Sequence, residues 1–163
     1  MDFNKATKSC CEKIMSCQEN SMKFELKNSQ KSCVKLYEVD GNLIKDIKNK
    51  KCDYMYEVFK PNIDIKTIDK ELDDDDKISG KLLSSIYVEL KGKNFERAVE
   101  QLEVTATTLK KRHMKCKDKL GVIVCSRIQH PRFSTLSQKL KVKMKRDHKV
   151  SLTITTKQCS HSV

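Results

Sequence analysis

The sequence predicts an α/β protein, a mixed β-sheet flanked by helices, and three observations carry that expectation. Strand-like and helix-like stretches alternate after residue 84, the pattern that builds sheets covered by helices. LGVIVCSR, at 120–127, is a continuous apolar run, as expected of a central strand buried on both faces. Finally, the stretch from Asn94 to Arg112 repeats apolar residues at three and four, the period of an amphipathic helix.

In chain order, Phe3, Ala6, Cys10, Ile14 and Cys17 recur at helical spacing and predict a helix over 3–18. Residues 22–26 and 33–39 are predicted strands. Asp40-Gly41 then reads as a hairpin turn with a returning arm at 42–47, because glycine accepts the positive φ of a type I′ turn. KCDYMYEVF, 51–59, is β-prone and stops before Pro61. The acidic stretch at about 62–80, with Asp73 to Asp76 in a row, reads as a solvated loop insert, since adjacent like charges repel. A strand at 84–91 closed by Gly92 follows, then the helix of 94–112 and the strand of 120–127. Pro131 breaks the chain before a basic helix from Ser134 to about 147, and VSLTITTK, 150–157, is a final edge strand. The 163 residues fit one domain, 1–163, carrying that insert.

Charge is distributed unevenly. Residues 1–80 hold 15 Lys and no Arg against 16 acids, whereas residues 81–163 hold 19 Lys and Arg against 6 acids. A basic half suits an anionic partner, and phosphate backbones are the commonest. No apolar run approaches the roughly 20 residues of a membrane span, and MDFNKATKSCC has no signal-peptide core. A cytoplasmic location and no membrane partner are therefore expected, with the eight scattered cysteines reduced. No C-x-x-C pair supports zinc, no P-loop supports nucleotide binding, and the four histidines have no triad spacing.

The residues with chemistry lie on the predicted strands. Glu89 and Lys91, two apart, project from one strand face about 6.6 Å from each other along the chain. Asp53 enters an otherwise apolar strand, a costly position unless the carboxylate is paired or metal-bound. Two converging carboxylates are how Mg2+ is commonly held, and a neighbouring lysine can orient water and neutralise charge at phosphorus. FELK, 24–27, repeats the tripeptide without the following glycine and helix. On the helix, Phe95, Ala98, Val99, Leu102, Ala106 and Leu109 fall on a core face. Arg97, Gln101, Thr105, Thr108 and Arg112 form a flank free of acids, suited to phosphate. QKLKVKMKRDHK, 138–149, is a second basic surface.

Through KKCDYMYEV, IYVELKG and NFERAVEQLEVT, residues of about 33–127, the chain resembles the PD-(D/E)xK superfamily of restriction-endonuclease-like nucleases. The resemblance implies a restriction-endonuclease-like core and Mg2+- or Mn2+-dependent hydrolysis of phosphodiesters, DNA ahead of RNA. Asp53 and Glu89 would bind the metal, Lys91 would act on the water, and Gln101 would be the helix accessory residue. Arg97, Thr105, Arg112, Lys139, Lys141, Lys143, Lys145 and Arg146 are the expected nucleic-acid contacts. Small nucleases of this kind often act as dimers, which makes a homodimer an expected option. The family's early acid has no clear match: Glu12 and Glu19 fall on the far side of the first predicted helix, and Glu25, Glu38 and Glu57 are alternatives. A nuclease-fold subunit that binds without cleaving, and a protein-binding inhibitor or immunity partner, are the competing readings.

Overall fold

A computed structural model describes residues 1, 3–5, 8–44, 50–91, 94–127 and 133–163. A 3-10 turn at Phe3–Lys5 precedes strands β1 (Lys8–Cys10), β2 (Ile14–Glu19), β3 (Met22–Lys27), β4 (Val34–Glu38) and β5 (Tyr54–Phe59). Short helices α1 (Ile65–Lys70) and α2 (Asp75–Lys81) lead into β6 (Leu82–Lys91), α3 (Phe95–Thr108), β7 (Asp118–Cys125), α4 (Phe133–His148), β8 (Ser151–Thr156) and β9 (Gln158–Ser162). The strands form a six-stranded sheet in the order β1-β4-β5-β6-β7-β8 and a three-stranded sheet in the order β2-β3-β9. In the large sheet β4, β5 and β6 pair antiparallel, while β6, β7 and β8 run parallel through helical crossovers. The expected α/β class, a mixed sheet flanked by helices, is what the chain adopts.

Strand alternation sorts two cores onto the two faces of the large sheet. Tyr37, Met55, Phe59, Tyr87 and Ile123 pack with Ile68, Ile78, Leu102 and Met144 on the helix side. Tyr56, Val58, Ile86, Val88 and Val122 pack with Met15, Phe24 and Leu26 of the small sheet on the other. Gly121 lets the layers close. A Cβ there would stand 3.2 Å from Leu152 and 3.3 Å from Leu102 and Val150, tighter than ordinary core packing.

Four sequence expectations need correction. The helix over 3–18 is absent: Met15 and Cys17 are buried while Ile14, Ser16 and Gln18 are exposed, so the operative period is two and β2 and β3 form a hairpin. Its turn residues Asn20 and Ser21 have φ of 46° and 66°, the two positive values of a type I′ turn. The loop insert at 62–80 is instead α1 and α2, because Ile68, Leu72 and Ile78 are buried in the helix-side core. Its aspartates serve locally, Asp74 capping α2 by accepting from the Lys77 N–H at 3.1 Å. Among the described residues no returning arm pairs with β4 after Gly41, which does take φ +82°. β4 pairs with β5, Ile44 makes only an isolated bridge to Asp40, and residues 45–49 lie outside the described residues. Finally, α3 stops at Thr108, and 109–115 is a turn rather than helix. Gly92 and Pro131, expected to close a strand and break the chain, also lie outside the described residues. Among the described residues no helix is long and apolar enough to cross a membrane.

Candidate active site at the end of the central strands

The register of β5 and β6 brings the two carboxylates together. Tyr54 pairs with Val88 in an antiparallel ladder, so Asp53, one residue before β5, stands opposite Glu89. Directly opposed residues have Cα atoms about 4.5–5.5 Å apart. Both side chains share the helix-side face, that of Met55 and Tyr87. The Asp53 carboxylate accepts the Leu90 N–H at 2.7 Å, which fixes the entry to β5 against the exit of β6. Lys91 lies two residues beyond Glu89, half-buried, with Nζ 3.2 Å from Glu89 Oε1.

The electrostatics are those of negative charge under-compensated by the protein. Glu89 is fully buried, yet neither carboxylate oxygen receives a well-directed hydrogen bond. Burial pushes its pKa up to about 8, the Asp53 charge acts in the same direction, and Lys91 opposes both. Asp53 is raised to about 6 by burial, against the Leu90 hydrogen bond, and the charge of Glu19 raises it further. A divalent cation fits this pair: it would supply the partner that the Glu89 oxygens lack, and Mg2+ accepts one or two carboxylates with water and phosphate completing its shell. The site is a pair rather than a triad, since no group of three or more His, Cys, Asp or Glu suited to a metal occurs among the described residues.

Helix α3 holds the chain leading into Asp53. Gln101 Nε2 donates to the Lys51 carbonyl at 2.7 Å. Thr105 Oγ1 accepts the Cys52 N–H at 2.9 Å and donates to the Gln101 carbonyl at 2.8 Å. Both side chains are buried, so the helix flank read as facing phosphate instead grips residues 51–52. Thr105 is therefore no nucleic-acid contact in this structure, and Gln101 acts as a positioning residue. Arg112 is also corrected: at 1% exposure it is among the most buried side chains, paired to Glu57 through Nε at 2.5 Å and Nη2 at 3.0 Å. Arg97, Lys139, Lys141, Lys143, Lys145 and Arg146 are exposed as expected. Of these Lys143 pairs with Glu103 at 2.7 Å and Arg146 with Asp147 at 2.6 Å.

Two contributors escaped the sequence reading. Lys51, although charged, is buried, donating to the Ile44 carbonyl at 2.7 Å and lying 3.4 Å from Asp40. Glu19, at the tip of the β2–β3 hairpin, is close enough for its charge to act on Asp53. The alternation of Met15 and Cys17 was the signal that would have turned Glu19 away from a helix.

The second ELK copy sits elsewhere. Glu25 and Lys27 lie on β3 in the small sheet, where Glu25 pairs with Lys23 at 3.0 Å. Alanine at Glu25 or Lys27 is expected to change stability by at most about 1 kcal/mol in urea unfolding, the range of exposed pairs, and to leave any cleavage intact. Loss of cleavage equal to that at Glu89 would remove the distinction between the copies.

Among protein-family models, curated proteins and solved structures, none matches this chain.

Proposed function

We propose that this chain is a divalent-cation-dependent nuclease of the restriction-endonuclease-like class, hydrolysing phosphodiester bonds, with DNA ahead of RNA as substrate. The observation that carries the reading is Glu89, a fully buried carboxylate with no well-directed hydrogen bond, facing Asp53 across paired strands and ion-paired with Lys91, which reaches solvent. The order of elements supports it: an antiparallel β4-β5-β6 meander, then α3, then β7 parallel to β6, with the acids where β5 begins and β6 ends. Bound Mg2+ or Mn2+ supplies Lewis-acid polarisation of a phosphoryl oxygen and a more acidic water. Asp53 and Glu89 hold the cation, Lys91 orients the attacking water and offsets charge at phosphorus, and Gln101 and Thr105 keep Asp53 in register through residues 51–52. Exposed Arg97, Lys139 and Lys141 offer backbone contacts.

A second reading, a nucleic-acid-binding subunit that does not cleave, is favoured by the presence of two acids rather than three among the described residues. One experiment separates them. Labelled DNA and RNA oligonucleotides are incubated with Mn2+ or Mg2+, and thermal unfolding is followed with and without the cation. The nuclease reading expects cation-dependent cleavage and a rise in Tm, because a ligand of the native state stabilises it. Binding without cleavage selects the second reading, and absence of both binding and a cation effect overturns the two together.

A further inference from the structure

The opposite end of the large sheet holds polar groups that the nuclease reading does not use. Where β6, β7 and β8 begin and β9 ends, a cavity of about 430 Å³ is lined by Ser84, Lys117, Lys119, Lys145, Lys149 and His161, with Asp118 as its lone acidic side chain. Lys145 is turned to the Ser151 hydroxyl at 3.3 Å. Lys117, Lys119 and Lys149 make no ion pair among the described residues. Ser84 supplies a second, independent observation: it is 5% exposed, and its hydroxyl has no hydrogen-bond partner. A buried hydroxyl is seldom left unpaired, and this one borders a cavity ringed by cations.

Backbone conformation points the same way. α4 ends with the Lys149 N–H on the Lys145 carbonyl at 3.1 Å and the Val150 N–H on the Met144 carbonyl at 3.2 Å. Lys149 itself lies at φ 58°, a position where glycine is the usual occupant. A lysine there holds a cation at the cavity against the preference of the backbone. Lys119 also borders an adjoining cavity of about 280 Å³ with Lys110 and Lys149. Burial lowers its pKa, and the charges of Lys149 and Lys110 add to that effect against Cys116. The cluster is thus positive overall, Lys117, Lys119, Lys145 and Lys149 outnumbering Asp118.

We propose that this cavity binds the phosphoryl group of a small phosphorylated ligand. Lys119, Lys145 and Lys149 would neutralise the charge and the Ser84 hydroxyl would donate a hydrogen bond, while Ile86 and Leu120 give an apolar wall for the rest of the ligand. The volume is that of a small-molecule site. A polynucleotide shares the phosphoryl chemistry, but the geometry favours the small ligand. Ser84 lies on the small-sheet face of β6 with Ile86 and Val88, whereas Glu89 lies on the helix face with Tyr87. The two are five residues apart, about 16 Å along the strand. A strand threaded through the cleavage site would have to round the sheet to reach the cavity. This site stands or falls independently of the nuclease reading.

The test titrates inorganic pyrophosphate, adenosine monophosphate and a 12-nucleotide single-stranded DNA into 15N-labelled full-length protein, with sulfate as control at equal ionic strength. Saturable amide shifts are expected at Ser84, Asp118–Leu120 and Lys149–Ser151, tighter for pyrophosphate or the mononucleotide than for sulfate. Lys149→Gly removes the cation while relieving the backbone, so it cannot lose binding by misfolding. It and Lys119→Gln are each expected to weaken binding about tenfold, the scale of one lost charge-assisted contact, and Glu89→Gln is expected to leave it unchanged. Equal affinity for sulfate, unchanged affinity in Lys149→Gly and Lys119→Gln, or displacement of pyrophosphate by the oligonucleotide with tenfold tighter binding would each overturn the proposal.

Discussion

Glu89→Gln is expected to lower cleavage by about 10²–10³-fold or more while leaving the cation-free fold almost unchanged. Its pKa near 8 holds the buried carboxyl protonated at pH 7 when no cation is present, and glutamine is the neutral shape of that protonated group. What the variant lacks is the ability to ionise when a cation arrives, so the Tm rise with Mn2+ should vanish along with cleavage. Lys91→Ala should separate the two effects. Cleavage falls by a similar factor, but the cation-induced rise in Tm persists or grows, because the ammonium 3.2 Å from Glu89 competes with the cation for the same carboxylate. The double variant should be little worse than either single change, since groups acting as one unit lose their effect together. Oligonucleotide cleavage and thermal unfolding with and without Mn2+ check all three. A cation response that survives in Glu89→Gln would remove the residue from the site.

The largest stability effect is expected from Arg112→Ala, a loss of about 3–5 kcal/mol, the range for breaking a buried ion pair. Glu57 is fully buried and accepts from Arg112 at two points, from Tyr37 Oη at 3.0 Å and from His113 Nε2 at 2.9 Å. On the other side of the ring, His113 Nδ1 lies 2.6 Å from the Tyr87 hydroxyl. Arg112 also donates to the Leu72 carbonyl at 2.8 Å and stacks 3.6 Å above Phe3. One guanidinium thereby ties β5, the α1–α2 segment and the N-terminal turn together. Lysine should not rescue it, because an ammonium cannot reproduce the planar fork. Burial alone would raise the pKa of Glu57, but the hydrogen bonds from His113 and Arg112, with their charges, outweigh it and lower the pKa to about 2. Because the folded value lies below the ordinary 4.5, the stabilisation is complete above about pH 4.5 and is lost as pH falls toward 2. Its size is about 3 kcal/mol. Glu57→Gln should lower stability at pH 7 and flatten the acid limb of a urea-unfolding series between those pH values. An unchanged acid limb would show that Glu57 does not carry the linkage.

The parts of the molecule legible in the sequence are those whose burial is set by their own pattern. β5, β6 and β7 announce themselves as apolar, β-prone runs, and all six residues assigned to the core face of α3 are buried. That Asp53 and Glu89 belong together was also readable, since an acid in such a run demands a partner. The other flank of α3 was not legible. Gln101 and Thr105 look like surface until residues 51–52, 50 and 53 positions away, lie across them. Arg112 was misplaced because the helical pitch ends at Thr108, and the turn that follows rotates position 112 inward. Across 62–80 the density of aspartates hid Ile68 and Leu72, four apart and both buried. In the N-terminal hairpin, an exposed Ile14 completed a false helical stripe.

The parallel pairing of β3 with β9, Lys23 beside Gln158 through Lys27 beside Ser162, ties the timing of folding to the direction of synthesis. The β2–β3 hairpin emerges from the ribosome well before its third strand, which consists of residues 158–162. At about 5–20 residues per second, Phe24 and Leu26 wait on the order of ten seconds for that strand, and β6 and β7, against which they also pack, arrive only midway. Completion of the small sheet therefore waits for residues 158–162, with the slow closure expected of distant strand pairing. During elongation the nascent chain exposes an apolar hairpin of the kind that chaperones cover.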